Sequence, residues 1–238
     1  MTLKGHVLRV IDYKDSSALL YVYTEEGIKS MIARGVKKMQ SPLRHLAQPT
    51  NKIDMTLSQS KLPTLKEATL IDYYKGIKSD LLKSTIMNVI NEMIYFNVGA
   101  HDDHQKLFAF IHKLAKKIEK TDDPVEYLLI FELKFLFFTG YAVPLKGCHV
   151  CKSNDNLSFD LYEGALVCEN HKNRHHHNYS KEIYQPMQYY YYVDVLKFEP
   201  LTLDHKTLQT LLEITTTLNS MHLGFYSKAK KILLTLID

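Results

Sequence analysis

The chain has 238 residues, of which 45% are hydrophobic and 24% charged, and its formal net charge is +4. This composition is typical of a folded protein and excludes wholesale disorder, collagen-like repeats and coiled-coil rods. The longest apolar stretch, Tyr127 to Phe138, carries two charges and falls short of the roughly 20 apolar residues of a membrane span, so it predicts a buried helix.

The first third of the chain has the pattern of short strands separated by acidic or glycine-containing turns. Five runs rich in Val, Ile, Leu and Tyr are strand candidates: Gly5–Asp12, Ser17–Thr24, Gly27–Arg34, Asn51–Gln59 and Thr64–Tyr73. Five short strands with one long connection predict a small barrel, of either the OB or the SH3-like type. The first ten residues alternate instead of forming an apolar block, so we expect no signal peptide and a cytoplasmic protein.

From Ser79 onward the apolar residues recur at helical spacing. Helix starts are predicted at Ser79 or Asp80, at Asp102 or Asp103, and at Thr121–Pro124, the last helix running to about Phe138 before Gly140. We interpret the acidic pairs Asp102–Asp103 and Asp122–Asp123 as helix caps in preference to metal ligands or catalytic carboxylates. Helices resume near Ile183 and are predicted again over Asp204–His222 and Tyr226–Leu236. The Tyr189–Tyr192 run could form a base-stacking platform, but its helical spacing within a helical region favours core and surface packing.

Positive charge is concentrated near the N-terminus. Residues 1–80 hold thirteen lysines and arginines against eight acidic residues, whereas the rest of the chain holds seventeen against eighteen. Such a bias fits a polyanionic partner, most simply nucleic acid, and fits equally a lysine-rich surface kept for solubility. The candidate phosphate-binding residues are Arg34, Lys37, Lys38 and Arg44 in a basic loop, with Lys4 and Arg9 extending the patch. Because lysine outnumbers arginine 26 to 4, we expect little sequence specificity.

All three cysteines lie between residues 148 and 168. Cys148-x2-Cys151 is followed after sixteen residues by Cys168-x2-His171, and two such pairs can supply the four corners of a tetrahedral zinc site. Four protein ligands leave no open position, so the pattern predicts one structural Zn2+ per chain. The fourth ligand is the least certain, because His149 and His175–His177 lie nearby, and three ordinary buried cysteines are the alternative.

Motifs that would indicate an enzyme are missing from the sequence. A zinc deaminase needs an H-x-E sequence beside the cysteine pairs, and none is present. No P-loop, GxGxxG, HExxH or GxSxG motif occurs either. We therefore expect a binding protein, with no catalytic residues.

Several motifs, taken in order and spacing, resemble the bacterial RecO family of recombination mediators. They are Lys4-Gly5-x-Val7-Leu8 with Tyr13, Leu20-x3-Thr24-Glu25-x-Gly27, Ala33-Arg34-Gly35-Val36-Lys37-Lys38 with Ser41, Tyr141, Cys148-x2-Cys151, Gly164-Ala165-Leu166-Val167-Cys168, and the closing segment Gly224–Leu233. The chain departs from the family pattern at His171, where zinc-bearing members usually have a fourth cysteine. Imidazole is also a competent zinc ligand.

The resemblance implies an α+β multidomain protein. Its parts would be an OB-fold barrel over residues 1–78, a helical domain over 79–143 and 179–238, and a zinc-finger insert over 144–178. Arg34, Lys37 and Lys38 match the basic segment of the family's DNA-binding barrel.

The resemblance also implies function and partners. Such a protein binds single- and double-stranded DNA, anneals complementary strands coated with single-strand-binding protein, contacts the C-terminal tail of that protein, and with RecR helps to load RecA at gaps. It would be cytoplasmic and nucleoid-associated. The sequence shows no motif for the tail pocket, and Lys113, Lys116 and Lys117 are weak candidates for it. The competing hypothesis is an RNA-binding or ribosome-associated zinc protein with a basic OB barrel.

Overall fold

Five antiparallel strands form the N-terminal part of the computed structural model, which describes residues 2–100 and 102–237. The strands are β1 (Thr2–Tyr13), β2 (Ser17–Thr24), β3 (Gly27–Ala33), β4 (Lys52–Leu57) and β5 (Leu65–Asp72). Lys14 and Gly27 have φ values of 55° and 93°, which close the first two hairpins. The predicted strands are all present, and β1 begins three residues earlier than the alternation indicated.

The strand order distinguishes the OB from the SH3-like barrel. The sheet runs β3-β2-β1-β4-β5, and a parallel bridge joins Ile32, in β3, to Thr64, just before β5. The Ile32 N–H donates to the Pro63 carbonyl at 2.8 Å, so the first and last strands of the sheet meet. This closure gives the five-stranded Greek-key barrel of the OB fold. The fold class predicted from sequence is confirmed.

The barrel interior is filled by aliphatic side chains from alternate strand positions. Its fully buried members include Val7, Leu20, Val22, Met31 and Ile53. A register shift between Val7 and Arg9 bends β1, which lets this one strand pair with both β2 and β4. Gly5 lies where β1 pairs with both β2 and β4. A side chain is not tolerated there, because a Cβ would lie 2.4 Å from a Val22 methyl group.

Seven helices follow the barrel strands within the described residues. They are α1 (Lys75–Lys78), α2 (Leu81–Asn97), α3 (His104–Lys120), α4 (Val125–Phe138), α5 (Lys181–Tyr192), α6 (His205–Leu223) and α7 (Lys228–Ile237). The carboxylates of Asp80, Asp103 and Asp204 accept backbone N–H groups at the starts of α2, α3 and α6, at 3.0–3.1 Å. The acidic residues are therefore caps, as predicted. The single-turn α1 was not predicted.

The chain forms two compact units. The first contains the barrel with α1, α2, α3 and the C-terminal α7, and the second is Val125–Tyr226. Helix α7 joins the first unit because the Ser227 hydroxyl donates to the Glu92 carboxylate of α2 at 2.7 Å. Because these two residues are 135 positions apart in the sequence, no local sequence pattern predicts this hydrogen bond.

The second unit combines α4, α5 and α6 with a small three-stranded sheet. Its strands are β6 (Leu157–Asp160), β7 (Ala165–Cys168) and β8 (Asn178–Tyr179), in the order β7-β6-β8. Buried Glu126 of α4 accepts the Tyr190 hydroxyl at 2.8 Å and the Leu201 N–H at 2.9 Å, so this charged side chain is satisfied inside the unit.

His6 is a buried histidine inside the first unit. The His6 ring is enclosed by Tyr74, Phe108 and His112, and its Nε2 has no hydrogen-bond partner among the described residues. Burial lowers the pKa of His6 to about 3, and the charges of Lys52 and His112 act in the same direction. The folded chain therefore holds His6 in its neutral form.

We expect the His6→Phe variant to be less sensitive to acid than the parent chain. The unfolded chain takes up a proton near pH 6.5, whereas folded His6 does so only near pH 3. The stability that neutral His6 contributes is thus complete above about pH 6.5 and falls by up to about 1.4 kcal/mol per pH unit below it. Urea unfolding at about pH 7 and about pH 5 measures this slope. The exposed His175→Phe variant is the control, and equal slopes in both variants would contradict the expectation.

Candidate metal centre and nucleic-acid interface

Four potential metal ligands converge in the second unit. The side-chain donor atoms of Cys148, Cys151, Cys168 and His171 all lie within 4.8 Å of one another. Cys151 Sγ is 3.7 Å from Cys168 Sγ, and His171 Nδ1 is 3.6 Å from Cys148 Sγ and 3.2 Å from Cys168 Sγ. A tetrahedron with zinc–sulfur bonds of about 2.3 Å has edges of about 3.7 Å, so the spacing suits a zinc ion.

Backbone hydrogen bonds shape the turn that carries the first cysteine pair. The Cys148 N–H donates to the Ser153 carbonyl at 2.7 Å, and the Lys152 N–H returns to the Cys148 carbonyl at 2.9 Å. Gly147, with a φ of 67°, begins this turn. The His149 N–H donates to the Leu166 carbonyl of β7 at 2.8 Å, which attaches the turn to the sheet.

The second pair is positioned by the small sheet. Cys168 is the last residue of β7 and pairs with Leu157 of β6, and His171 ends the single 3-10 turn that follows. The ladder between β6 and β7 therefore brings together two pairs that the sequence separates by sixteen residues.

Polar surroundings favour the thiolate form of Cys148. Burial raises the pKa of this thiol, but the backbone N–H groups of Cys151, Cys168 and Val150 and the Cys151 thiol outweigh it, and the pKa falls to about 6. A thiolate is the form that binds metal.

The other candidate histidines take part in different contacts. His176 Nδ1 lies 2.9 Å from a carboxylate oxygen of the fully buried Asp160, and its Nε2 lies 3.0 Å from the Asn173 amide. His177 packs against the Tyr179 ring at 4.5 Å between centroids. The group of four potential ligands includes neither His149 nor any of His175–His177.

Residues 34–51 connect β3 to β4 as a series of tight turns and are called the basic segment. Val36, Leu46 and Ala47 are buried in the barrel core and hold the segment at both ends. Buried Asn51 fixes its far end, because its side-chain amide donates to the His45 and Leu46 carbonyls at 2.8 and 3.1 Å. Lys78 in turn donates to the Asn51 side-chain oxygen, and burial lowers the pKa of Lys78 to about 8.

Two adjacent grooves flank the basic segment. One, of about 500 Å³, is lined by Arg34, Lys38 and Met39 among others. The second, of about 650 Å³, is lined by Arg34 again together with His45 and Lys66. Sequence reasoning missed Lys66, which lies on β5 and reaches this groove only because the barrel closes.

The other predicted DNA-binding residues are distributed differently. Lys37 is exposed and forms an ion pair with Asp12 at 2.8 Å. The Arg9 guanidinium packs over the Tyr95 ring at 5.2 Å, and exposed Lys4 pairs in register with Asp54 of β4.

Among residues 2–100 and 102–237, the ion pairs found include none with Arg34, Lys38, Arg44 or Lys66. Lys116, a weak candidate for a peptide-binding groove, is engaged with Asp72 and Glu119. Arg34 and Lys38 thus line one groove, and Arg34 and Lys66 line the other together with the acidic Glu67, whereas the predicted Arg44 lines neither.

Comparison with known families covers both parts of the chain. Residues 1–74 match the model described as the N-terminal part of recombination protein O, and residues 78–231 match the model of its C-terminal part. The chain belongs to the RecO family.

Curated relatives agree over nearly the full length. The chain is similar to proteins named DNA repair protein RecO from Halalkalibacterium halodurans (23% identity), Bacillus subtilis (25%) and Bacillus cereus (22%). Each comparison covers 97% of this chain and 92–95% of the relative. In the part of this RecO-family chain that the structure describes, no helix has the length and apolar character needed to cross a membrane.

Gly147 is expected to be intolerant of a side chain. A Cβ at this position would lie 3.0 Å from the Lys152 carbonyl and 3.1 Å from the Ser153 carbonyl, and its φ is positive. Gly147→Ala should therefore destabilise the second unit by roughly 1–3 kcal/mol, measured by urea unfolding. Gly140→Ala is the matched control, since its φ is also positive but nothing lies within 4 Å. A loss no larger than that of the control would show that the turn can yield.

Proposed function

We propose that this RecO-family protein is a non-enzymatic mediator of DNA repair and recombination. It binds single- and double-stranded DNA and anneals complementary strands coated with single-strand-binding protein. The observation that carries the proposal is the match to both RecO models across the chain, in which the basic segment lies on an OB barrel. The names of the curated relatives support the repair role.

The mechanism is charge neutralisation at the grooves beside the basic segment. Arg34 lines both grooves, and Lys38 and Lys66 contribute one further cation to each. These side chains contact phosphates of two strands and lower their mutual repulsion, so complementary bases can meet. No covalent bond is made or broken in this process. Since lysines and arginines on a loop grip phosphates without reading bases, the annealing is independent of sequence.

The metal centre serves the fold of the second unit. Cys148, Cys151, Cys168 and His171 would hold one Zn2+, and when bound the ion supplies a cross-link between the first turn and β7. The donor set fits, because three thiols and an imidazole are common zinc ligands and their separations suit a tetrahedron. With all four positions taken by protein atoms, the centre is structural.

Partners follow from the same function. The protein contacts the C-terminal tail of single-strand-binding protein, acts with RecR, and so helps to load RecA at gaps in nucleoid DNA. This part of the proposal rests on family membership alone.

Zinc content is expected to depend on His171. Metal analysis of the purified chain should give about one zinc per molecule. His171→Ala should weaken zinc affinity by at least tenfold, because a three-ligand site is left, whereas His171→Cys should keep the metal. His175→Ala is the matched control, as His175 is exposed and outside the group of four ligands. Zinc retained at full strength by His171→Ala would contradict the assignment of this ligand.

The salt dependence of single-strand binding tests the grooves. Replacing Arg34, Lys38 and Lys66 together by Ala should make the negative slope of log affinity against log salt shallower by about 2, since each phosphate contact contributes about −0.7. Affinity should fall on all sequences alike.

The matched control replaces three exposed lysines that line neither groove, Lys61, Lys75 and Lys120, and should change the slope little. Equal slopes in the two triple variants would show that the phosphates bind elsewhere.

Annealing of two complementary oligonucleotides, each coated with the cognate single-strand-binding protein, tests the mediator function. We expect the chain to accelerate annealing, and the acceleration to disappear when the C-terminal tail of the coating protein is deleted. Tight salt-sensitive binding without acceleration would refute the mediator function. In that outcome, preference for folded RNA over single-stranded DNA would favour the RNA-binding hypothesis.

A further inference from the structure

A cavity of about 580 Å³ lies in the second unit beside the turn of the metal centre. Its lining includes Leu145, Lys146, Asn154, Gln188, Tyr189 and Tyr192. One wall is the segment that leads into the first cysteine pair, and the other is a face of α5. The metal centre and the basic segment do not account for this cavity.

Helix α5 presents a regular face to the cavity. Gln185, Gln188, Tyr189 and Tyr192 follow one another at steps of three, one and three residues, which places them along one side of an α-helix. The four tyrosines of the run have different roles. Tyr190 is buried on Glu126, and the Tyr189 hydroxyl bonds the Glu199 backbone, but Tyr192 is 48% exposed. An aromatic ring of that size exposed at the rim of a cavity is available to a ligand.

Hydrogen bonds hold two of the lining side chains of α5 in place. The Gln188 side-chain amide donates to the Leu145 carbonyl at 2.6 Å, which joins α5 to the opposite segment. The Tyr189 hydroxyl donates to the Glu199 carbonyl at 3.2 Å and accepts the Glu199 N–H at 3.1 Å. A ligand therefore meets side chains that are already held in place.

The chemistry of the lining suits a nucleotide. Lys146 Nζ lies over the Tyr192 ring at 4.9 Å from its centre, so the half-exposed ring carries a positive charge against one of its faces. The lining residues include no carboxylate, whereas Asn154, Gln185 and Gln188 contribute amides that both donate and accept hydrogen bonds. A base can stack on the exposed part of Tyr192 while its phosphate contacts Lys146. Because the amide side chains offer both hydrogen-bond donors and acceptors, they can bond to the edge of any of the four bases.

We propose that this cavity binds an unstacked base of single-stranded DNA, as a second contact separate from the phosphate grooves of the barrel. The inference rests on the proposed DNA-binding function. It assigns base contact to the cavity and phosphate contact to the barrel. Duplex DNA does not use the cavity, because its bases are already stacked.

The absence of tryptophan gives a direct reporter. The chain has no Trp among its 238 residues, so Tyr192→Trp introduces a single indole at the proposed stacking position. Binding of an oligothymidylate should quench its fluorescence, because a stacked base quenches an indole. Tyr162→Trp is the matched control, since Tyr162 is 68% exposed and outside the cavity, and its indole should not respond. An unresponsive Tyr192→Trp protein that still binds the oligonucleotide would overturn the proposal.

Affinity measurements separate this proposal from the proposed function. Tyr192→Ala should weaken binding of single strands by roughly 5- to 150-fold, as expected for one lost stacking contact, and leave duplex binding unchanged. Tyr192→Phe should bind like the parent, since the ring is kept. Lys146→Ala should make the negative slope of log affinity against log salt shallower by about 0.7 on single strands and leave the slope on duplex DNA unchanged.

The barrel triple variant provides the comparison, because it should weaken both kinds of DNA. If Tyr192→Ala binds single strands as the parent does while the triple variant is weakened, the cavity proposal fails and the function stands. If the parent chain binds neither DNA, the function itself fails.

Discussion

The bend in β1 is the constraint on which the first unit depends. One strand pairs with β2 along its length and with β4 through its first residues, and it can do both because the register shifts between Val7 and Arg9. The same bend turns the sheet until Ile32 meets Thr64, which closes the barrel. Closure removes the open sheet edges at this point and places β5 beside the segment that follows β3. The position of Lys66 next to Arg34 is a consequence of this geometry.

Both candidate sites are short irregular segments held by regular structure. The basic segment has its ends buried in the barrel core and its far end tied to the Asn51 amide. The first cysteine turn is tied to β7 through the His149 N–H, and the second pair ends that strand. The candidate residues are thus held in place by buried side chains and hydrogen bonds, which would limit the conformational freedom lost on binding.

The two units divide the chemistry of DNA contact between them in the functions we propose. The barrel offers cations on its turns and on β5, and its basic grooves are lined by no Phe, Tyr or Trp among the described residues, which suits phosphates. The second unit offers tyrosine rings and amides with a single lysine, which suits bases. The buried hydrogen bond from the Tyr190 hydroxyl to the Glu126 carboxylate anchors α5, the helix that lines the cavity. Phosphate affinity and base contact can therefore be altered independently.

Features that depend on interactions between residues close in sequence were predictable from the sequence alone. Asp80, Asp103 and Asp204 predicted helix starts because a cap acts within one turn, and the paired cysteines predicted a metal centre because each pair is adjacent along the chain. Only the tertiary structure decided which residues from distant segments meet. It placed Arg9 over Tyr95, buried His6 with no hydrogen-bond partner for Nε2 in the described part of the chain, and split the tyrosine run into a buried Tyr190 and an exposed Tyr192. Such contacts depend on how elements pack across the fold, and no pattern within one segment encodes them.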